Sequence, residues 1–383
     1  MLFALSLACS PAVPPSAVAP DPCSVVLAAG GHPEQALDEA EGYLRLARET
    51  ADEGQYTLAD SAVSCWLATR PDDRPGLRLR ARILSQQHRF SEAADQARAL
   101  TADASDWEAW LALGDAELER GENDAAAQAY QHVADLRPGI LVYDRIGWLR
   151  WLEGDVEGAR EMMELAVQTG TPADPGPLAW ALVRLGWLNA LEGKPAAQLD
   201  AALSLVPGYA PALLARGRVR MFLADPQGEY VGTPPASWPA ELDLGLADLR
   251  TLPHHLEALR ARSAYESVEI NANLDRRGWA DAMAPLAPAA ALSAARAELA
   301  VRHDDVSSIT LAWAMYHAKD EGWRKLADVA VARSCAEPRL KHHAAIMYQD
   351  VSLAQRALVA GAGLTAPERR ELSAMVAALV PVP

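Results

Sequence analysis

The chain reads as an all-α protein, a solenoid of paired helices, and three observations predict it. Small residues return at near-constant intervals: Ala47, Ala81, Gly114, Gly147, Gly186 and Gly217 are separated by 34, 33, 33, 39 and 31 residues. Periods of that size belong to arrays of helical hairpins. Within each interval, apolar residues recur at i, i+3 and i+4 in two bursts, the signature of two amphipathic helices. The composition agrees. Ala and Leu dominate, β-branched runs are short, and the Asn-Gly and Asp-Gly dipeptides of tight strand hairpins are missing.

The clearest unit is "DWEAWLALGDAELERGENDAAAQAYQHVADLRPG", residues 106–139. Trp110, Leu113 and Gly114 share one face of a first helix. Ala126, Tyr130 and Val133 share one face of a second. Gly114 and Ala126 are small because the helices cross there, and a larger substituent would push them apart. Gly121 falls at the turn, where a positive φ costs glycine little. Pro138 stops the second helix. Each position has a mechanical task and none a chemical one.

Weaker copies run in phase. The first spans about 40–73 and the second about 74–106. The fourth is 140–172, the fifth lies near 179–209, and a sixth opens with "YAPALLARGRVRMF". After Asp225 comes "DPQGEYVGTPPASWPAE", a Pro/Gly segment long for a loop in a compact domain. Helical periodicity returns near Leu242. "ITLAWAMYHA" (309–318) and "PRLKHHAAIMY" (338–348) read as degenerate first helices, with Ala314 and Ala344 at the small position. Thr365 to Glu368 is a capping box that opens a last helix. The organisation read from these signals is an N-terminal segment 1–23, a six-repeat solenoid over 24–224, a loop at 225–241 and a degenerate helical region over 242–383.

The 106–139 pattern resembles the tetratricopeptide repeat (TPR), firmly over roughly 40–224 and loosely over 295–383. The resemblance implies a right-handed superhelix whose first helices line a concave, peptide-binding face. The matching inner positions are Arg48 in the first copy, Arg78 and Arg82 in the second, Asp144, Trp148 and Trp151 in the fourth, Trp180, Val183 and Trp187 in the fifth, and Leu214, Arg218 and Met221 in the sixth. Trp and Arg are the residues enriched at binding hot spots. Arginines on the inner face of an acidic protein would favour an acidic or carboxylate-bearing segment. The competing reading is that these tryptophans seal neighbouring repeats and the arginines pair with nearby acids.

Charge and motifs narrow the function classes. A formal charge of −16, from 35 Lys plus Arg against 51 Asp plus Glu, opposes nucleic-acid binding. The four cysteines, at 9, 23, 65 and 335, have no CxxC spacing. No P-loop, GxSxG or HExxH is present. Gly361-Ala-Gly363 follows no strand and reads as a helix stop. His254-His255 and His342-His343 are adjacent pairs, about 100° apart on a helix, and are read as ordinary surface or half-buried histidines. No metal, cofactor or catalytic residue is therefore expected.

The first residues, "MLFALSLACSPAVPPSAVAPDPC", form a short apolar run, Cys9, and a Pro/Ala-rich linker. They are too short to span a bilayer, which takes roughly 20 apolar residues. They resemble a bacterial lipoprotein signal, which would lipidate Cys9 and place the protein at the cell envelope, lipid-anchored or periplasmic. A secretory peptide cut elsewhere and a frayed apolar tail are the other readings. A secreted chain would let Cys23 and Cys65 pair. The function expected is a non-catalytic scaffold that binds a protein or peptide in a Trp/Arg groove. The alternatives are a structural subunit of an envelope complex that uses its outer face, and an enzyme housed in the C-terminal half. A cleft with perturbed histidines or carboxylates at 240–350 would favour the enzyme.

Overall fold

In the computed structural model the described residues are 21–50, 52, 54–226, 240–252, 276–332 and 337–379. Cys9 and the linker after it, most of the Pro/Gly segment, and His254-His255 lie outside them. The described residues hold twenty α-helices and no strand. The fold is an all-α solenoid of helical hairpins.

A short helix α1 (Pro22–Ala28) precedes the array. The hairpins are α2 (Ala36–Thr50) with α3 (Gly54–Thr69), α4 (Arg74–Gln86) with α5 (Phe90–Leu100), and α6 (Trp107–Arg120) with α7 (Asn123–Leu136). Then come α8 (Ile140–Leu152) with α9 (Val156–Thr169) and α10 (Pro175–Leu191) with α11 (Ala197–Leu205). The sixth hairpin is α12 (Ala210–Ala224) with α13 (Ala240–Arg250). Its second helix thus lies beyond the Pro/Gly segment, which interrupts a hairpin where the sequence suggested a break between regions. Later come α14 (Arg276–Met283), α15 (Pro288–Leu299), α16 (Asp305–His317), α17 (Trp323–Ala332), α18 (Pro338–Tyr348), α19 (Val351–Val359) and α20 (Ala366–Leu379).

The small positions act as their spacing demands. A Cβ on Gly114 would stand 2.5 Å from the Tyr130 ring, and one on Gly217 would stand 2.7 Å from Leu249. Gly147 faces Met163 and Gly186 faces Leu199 in the same way. Gly121 turns the third hairpin at φ +84°. Asp73, Asp106, Asp155, Asp304 and Asp350 cap helix starts with their carboxylates. The backbone N–H of Thr365 donates to Glu368 at 2.6 Å, the return arm of the capping box.

At the N-terminus, Cys23 and Cys65 form a disulfide with their Cα atoms 4.8 Å apart. It ties α1 to α3, with Val26 buried beneath it.

The array comes round on itself. Helix α12 touches α2, so the sixth hairpin meets the first. Beyond it, two later helix starts rest on the ends of earlier first helices. The N–H of His303, just before α16, donates to the carbonyl of Arg120 at the end of α6 at 2.9 Å. Arg302 binds Glu119 and lies 5.0 Å over the Phe90 ring. Arg369, at the start of α20, donates to the Asp225 carbonyl at 2.7 Å. Arg218 donates to the Gly363 carbonyl at 2.7 Å, and Leu152 packs into the C-terminal core. Negative helix C-termini thus face positive N-termini, a favourable alignment of dipoles. The C-terminal half is a second turn of helices, seated on the edge of the first.

Candidate functional site

The first helices of the hairpins touch one another as well as their partners and form the inner layer. Across that layer the charges of distant hairpins are felt together. Arg82 on α4 is open to solvent, yet its guanidinium pKa is lowered. Crowding by the surrounding protein is the main cause, followed by repulsion from Arg48 and Arg145, with Glu41 and Asp115 opposing. A side chain both exposed and crowded marks a concave surface. Arg48 on α2 is exposed as well, and it makes only a 3.5 Å contact to the Leu44 carbonyl. Neither arginine has a carboxylate within ion-pair distance among the described residues.

The neighbouring inner arginines have carboxylate partners. Arg145 grips Asp115 through Nε at 2.6 Å and Nη2 at 2.8 Å, and Asp115 also accepts the Tyr130 hydroxyl at 2.9 Å. Burial opposes the Arg145 charge, but Asp115 outweighs it and raises the pKa. Arg184 lies 3.4 Å from the buried Asp144, and Trp180 Nε1 donates to Asp144 at 3.1 Å. Arg184 also sits 4.1 Å over Trp148 and 4.8 Å over Trp180. At the entry to α12, burial pushes the Tyr209 hydroxyl up to about 12, with Arg48 opposing.

The proposed groove residues therefore separate into three groups. Arg48, Arg82 and Trp180 are presented to solvent, Trp180 at 37% exposure. Trp148 and Trp187 are half-buried with ring faces already occupied. Arg184 and Trp151 take those of Trp148, and Arg218 lies 4.8 Å over Trp187. Trp151 is core, 3% exposed in the cluster with Met163 and Leu188, and offers no ligand surface.

Arg78 is committed to Asp106 at 3.1 Å and Glu108 at 2.8 Å, which locks the start of the next hairpin. Arg74 and Arg78, with the Ala109 N–H, hold the Asp106 carboxyl below its usual range although burial works the other way. Arg218 is committed to the second turn. The reading of arginines paired with nearby acids holds for Arg78, and partners of this kind also claim Arg145 and Arg184.

The histidine reading needs correction. His342 and His343 are both 2% exposed, and their Nδ1 atoms stand 2.8 Å apart, so neighbours on one helix do bring their rings together. Side-chain rotation closes the 100° between their Cα–Cβ directions. His343 Nε2 meets Asp281, and His342 Nε2 meets Glu371 at 3.0 Å. Burial lowers the His343 pKa, with His342 adding to it and Asp281 opposing. The two histidines are buried against Trp313, which stacks on His343 at 4.4 Å. A hollow of about 300 Å³ beside Tyr348 and Asp328 is not lined by them. Among the described residues no three His, Cys, Asp or Glu side chains gather as metal ligands, and no helix is long and apolar enough to cross a membrane.

Compared with known proteins, the chain matches no family model and no curated sequence. Solved structures do resemble it. A thermophilic TPR protein from Thermus thermophilus shares 22% identity over 46% of this chain and 99% of its own, with a TM-score of 0.36. One from Parabacteroides merdae shares 12% over 73% and 99%, also with a TM-score of 0.36. Yeast Tom70 shares 11% over 89% and 88%, with a TM-score of 0.26. These are likenesses of fold only. The chain is an all-helical hairpin solenoid similar in fold to tetratricopeptide-repeat proteins.

Proposed function

We propose that the protein is a non-catalytic scaffold whose inner face binds an acidic segment of a partner protein. The observation that carries this reading is the pair Arg48 and Arg82. They are open to solvent and lack an ion-pair partner among the described residues, on an inner surface where Arg78, Arg145 and Arg184 all have one. Two guanidiniums held near each other repel, and a carboxylate between them would relieve that repulsion and accept charge-assisted hydrogen bonds. Trp180 adds an exposed aromatic surface on the same layer. The contact of α2 with α12 supports entry of the segment along the superhelix axis, since one flank is closed. A preformed face keeps the ordering cost of binding low.

The location proposed is the cell envelope, with lipid on Cys9. The Cys23–Cys65 disulfide supports an oxidising compartment. A Cys9→Ser variant should shift from membrane to soluble fractions of the native host. Unchanged fractionation would remove the anchor from the reading.

The partner test is a crosslinked pull-down from the envelope fraction with wild type and with Arg48→Glu/Arg82→Glu, both checked for helicity. The charge reversal should reduce capture about tenfold or more, the loss of one or two charge-assisted bonds. Equal capture by both would move the contact to the outer face, as in a structural subunit of an envelope complex.

A further inference from the structure

The buried histidine pair poses a counting problem with a physical consequence. Asp281 on α14, His343 and His342 on α18, and Glu371 on α20 form one hydrogen-bonded chain. It has three links: Asp281 to His343 Nε2, His343 Nδ1 to His342 Nδ1, and His342 Nε2 to Glu371. Each link joins two atoms that repel unless one carries a proton. Three links need three protons, and two neutral imidazoles bring two. Asp281, as a carboxylate, takes the Nε2 proton of His343. His343 Nδ1 is then bare and takes the Nδ1 proton of His342. His342 Nε2 would then be bare too, facing the Glu371 carboxylate at 3.0 Å. The third proton belongs in that gap.

We propose that His342 and His343 are a proton-operated clasp: with three protons along the Asp281–His343–His342–Glu371 chain, helix α20 is fastened through α18 to α14, and loss of the third proton opens the link to Glu371.

The surroundings decide which group carries the charge. His343 lies deepest, stacked flat on Trp313, and its desolvation disfavours a charge there. His317 on α16 also faces His343, and its own pKa is lowered by burial first and by His343 second. A cation on His343 would meet both. Glu371 is half-exposed at its side chain, and the His342 hydrogen bond and charge hold its pKa down against the effect of burial. The third proton therefore sits in the His342–Glu371 gap, at the solvent-facing end of the chain. From α18 itself Arg339 approaches Asp281 at 3.3 Å, and it lies 3.9 Å from Glu368 on α20. It places a positive charge beside Asp281, at the opposite end of the chain from Glu371.

With three protons on the chain, the fastened state holds one more proton than the open one wherever the open state has lost it, so fastening weakens as pH rises. Helix α20 also carries Arg369, the tie to the Asp225 carbonyl at the end of α12, so the clasp bears on the seat between the two turns.

The test is hydrogen exchange of the α20 amides, residues 366–379, in the full chain between about pH 6 and pH 9, corrected for intrinsic exchange. Protection should fall by up to about tenfold per pH unit while the fastened chain keeps the third proton that the open state has lost, the slope of one linked proton, and should level off once both have lost it. Glu371→Gln supplies an amide N–H to a neutral His342 Nε2 and needs no third proton, so it should keep α20 docked with a flat profile. Nitrogen-15 imidazole spectra should show one imidazolium and one Nε2–H neutral ring for the pair near pH 7. A flat wild-type profile, a slope retained in Glu371→Gln, or two neutral rings near pH 7 would each overturn the proposal.

Discussion

The two turns of the solenoid solve the same packing problem with different residues. In the first turn, hairpins three to six cross at glycines, and a Cβ at Gly114, Gly186 or Gly217 would stand within 3 Å of the partner helix. In the second, the corresponding residues are Ala314 and Ala344, both fully buried. The core around them is filled by Trp313, Trp323 and the paired histidines. Polar groups divide the same way. The first turn pairs its charges along the inner layer and at hairpin joints, buried carboxylates included, as in Arg184–Asp144 and Arg78–Asp106. The second turn runs a hydrogen-bonded chain through its core, from the buried Asp281 to the half-exposed Glu371. The first turn is built for a surface, and the second for internal linkage.

That contrast can be broken most severely at the start of the first turn. Cys23→Ser/Cys65→Ser releases a cross-link that spans 42 positions, and chain entropy assigns such a loop about 4 kcal/mol. Denaturant unfolding of the double variant should show that loss, and dithiothreitol should reproduce it in wild type.

Next in size is the comparison between two tryptophans of adjacent hairpins. Trp151→Ala empties a core site and should cost about 3–5 kcal/mol. Trp180→Ala should cost under about 1 kcal/mol while weakening partner capture. Equal losses in thermal unfolding would erase the distinction between core and inner surface.

The seam between the turns comes third. Arg302 meets Glu119, lies 3.4 Å from Asp304 and stands 3.9 Å from the buried Glu298. Arg302→Ala leaves Glu298 without this partner and should cost about 3 kcal/mol, with hydrogen exchange rising on both sides of the seam.

The mildest test is Gly114→Ala, where the Tyr130 ring must yield to a Cβ built 2.5 Å away. The expected loss is about 1–3 kcal/mol. An unchanged melting temperature would mean that this crossing is no tighter than the alanine crossings of the second turn.

The hairpins were legible because local rules make them. Gly114, Gly121 and Tyr130 are set by contacts within one unit, and every such contact leaves a mark at fixed spacing. The seating of one turn on the other was not legible. It joins Arg302 to Glu119 across 183 positions and Arg218 to Gly363 across 145, and no periodicity relates those pairs. The inner face was legible as a set of positions but not as a set of roles. Arg78 and Arg82 lie one helical turn apart, yet Asp106 claims the first and no carboxylate is within ion-pair distance of the second among the described residues. Only the neighbouring hairpin decides that. The histidine pair was misread for a related reason. Backbone direction says where Cβ points, while the rotamers that bring two ring nitrogens to 2.8 Å are fixed by contacts with Asp281 and Glu371 on other helices.

A stack of hairpins that touch only their neighbours unfolds piecemeal, like beads leaving the end of a string. The contact of α12 with α2 and the seam at Arg120–His303 remove that freedom. Neither end of the first turn can fray without disturbing helices far along the chain. Such contacts also raise the mean sequence separation between touching residues, and chains of high contact order fold slowly. The molecule should therefore unfold as a coiled spring whose turns are bonded together, with few partly melted forms and a slow refolding step when the second turn closes on the first.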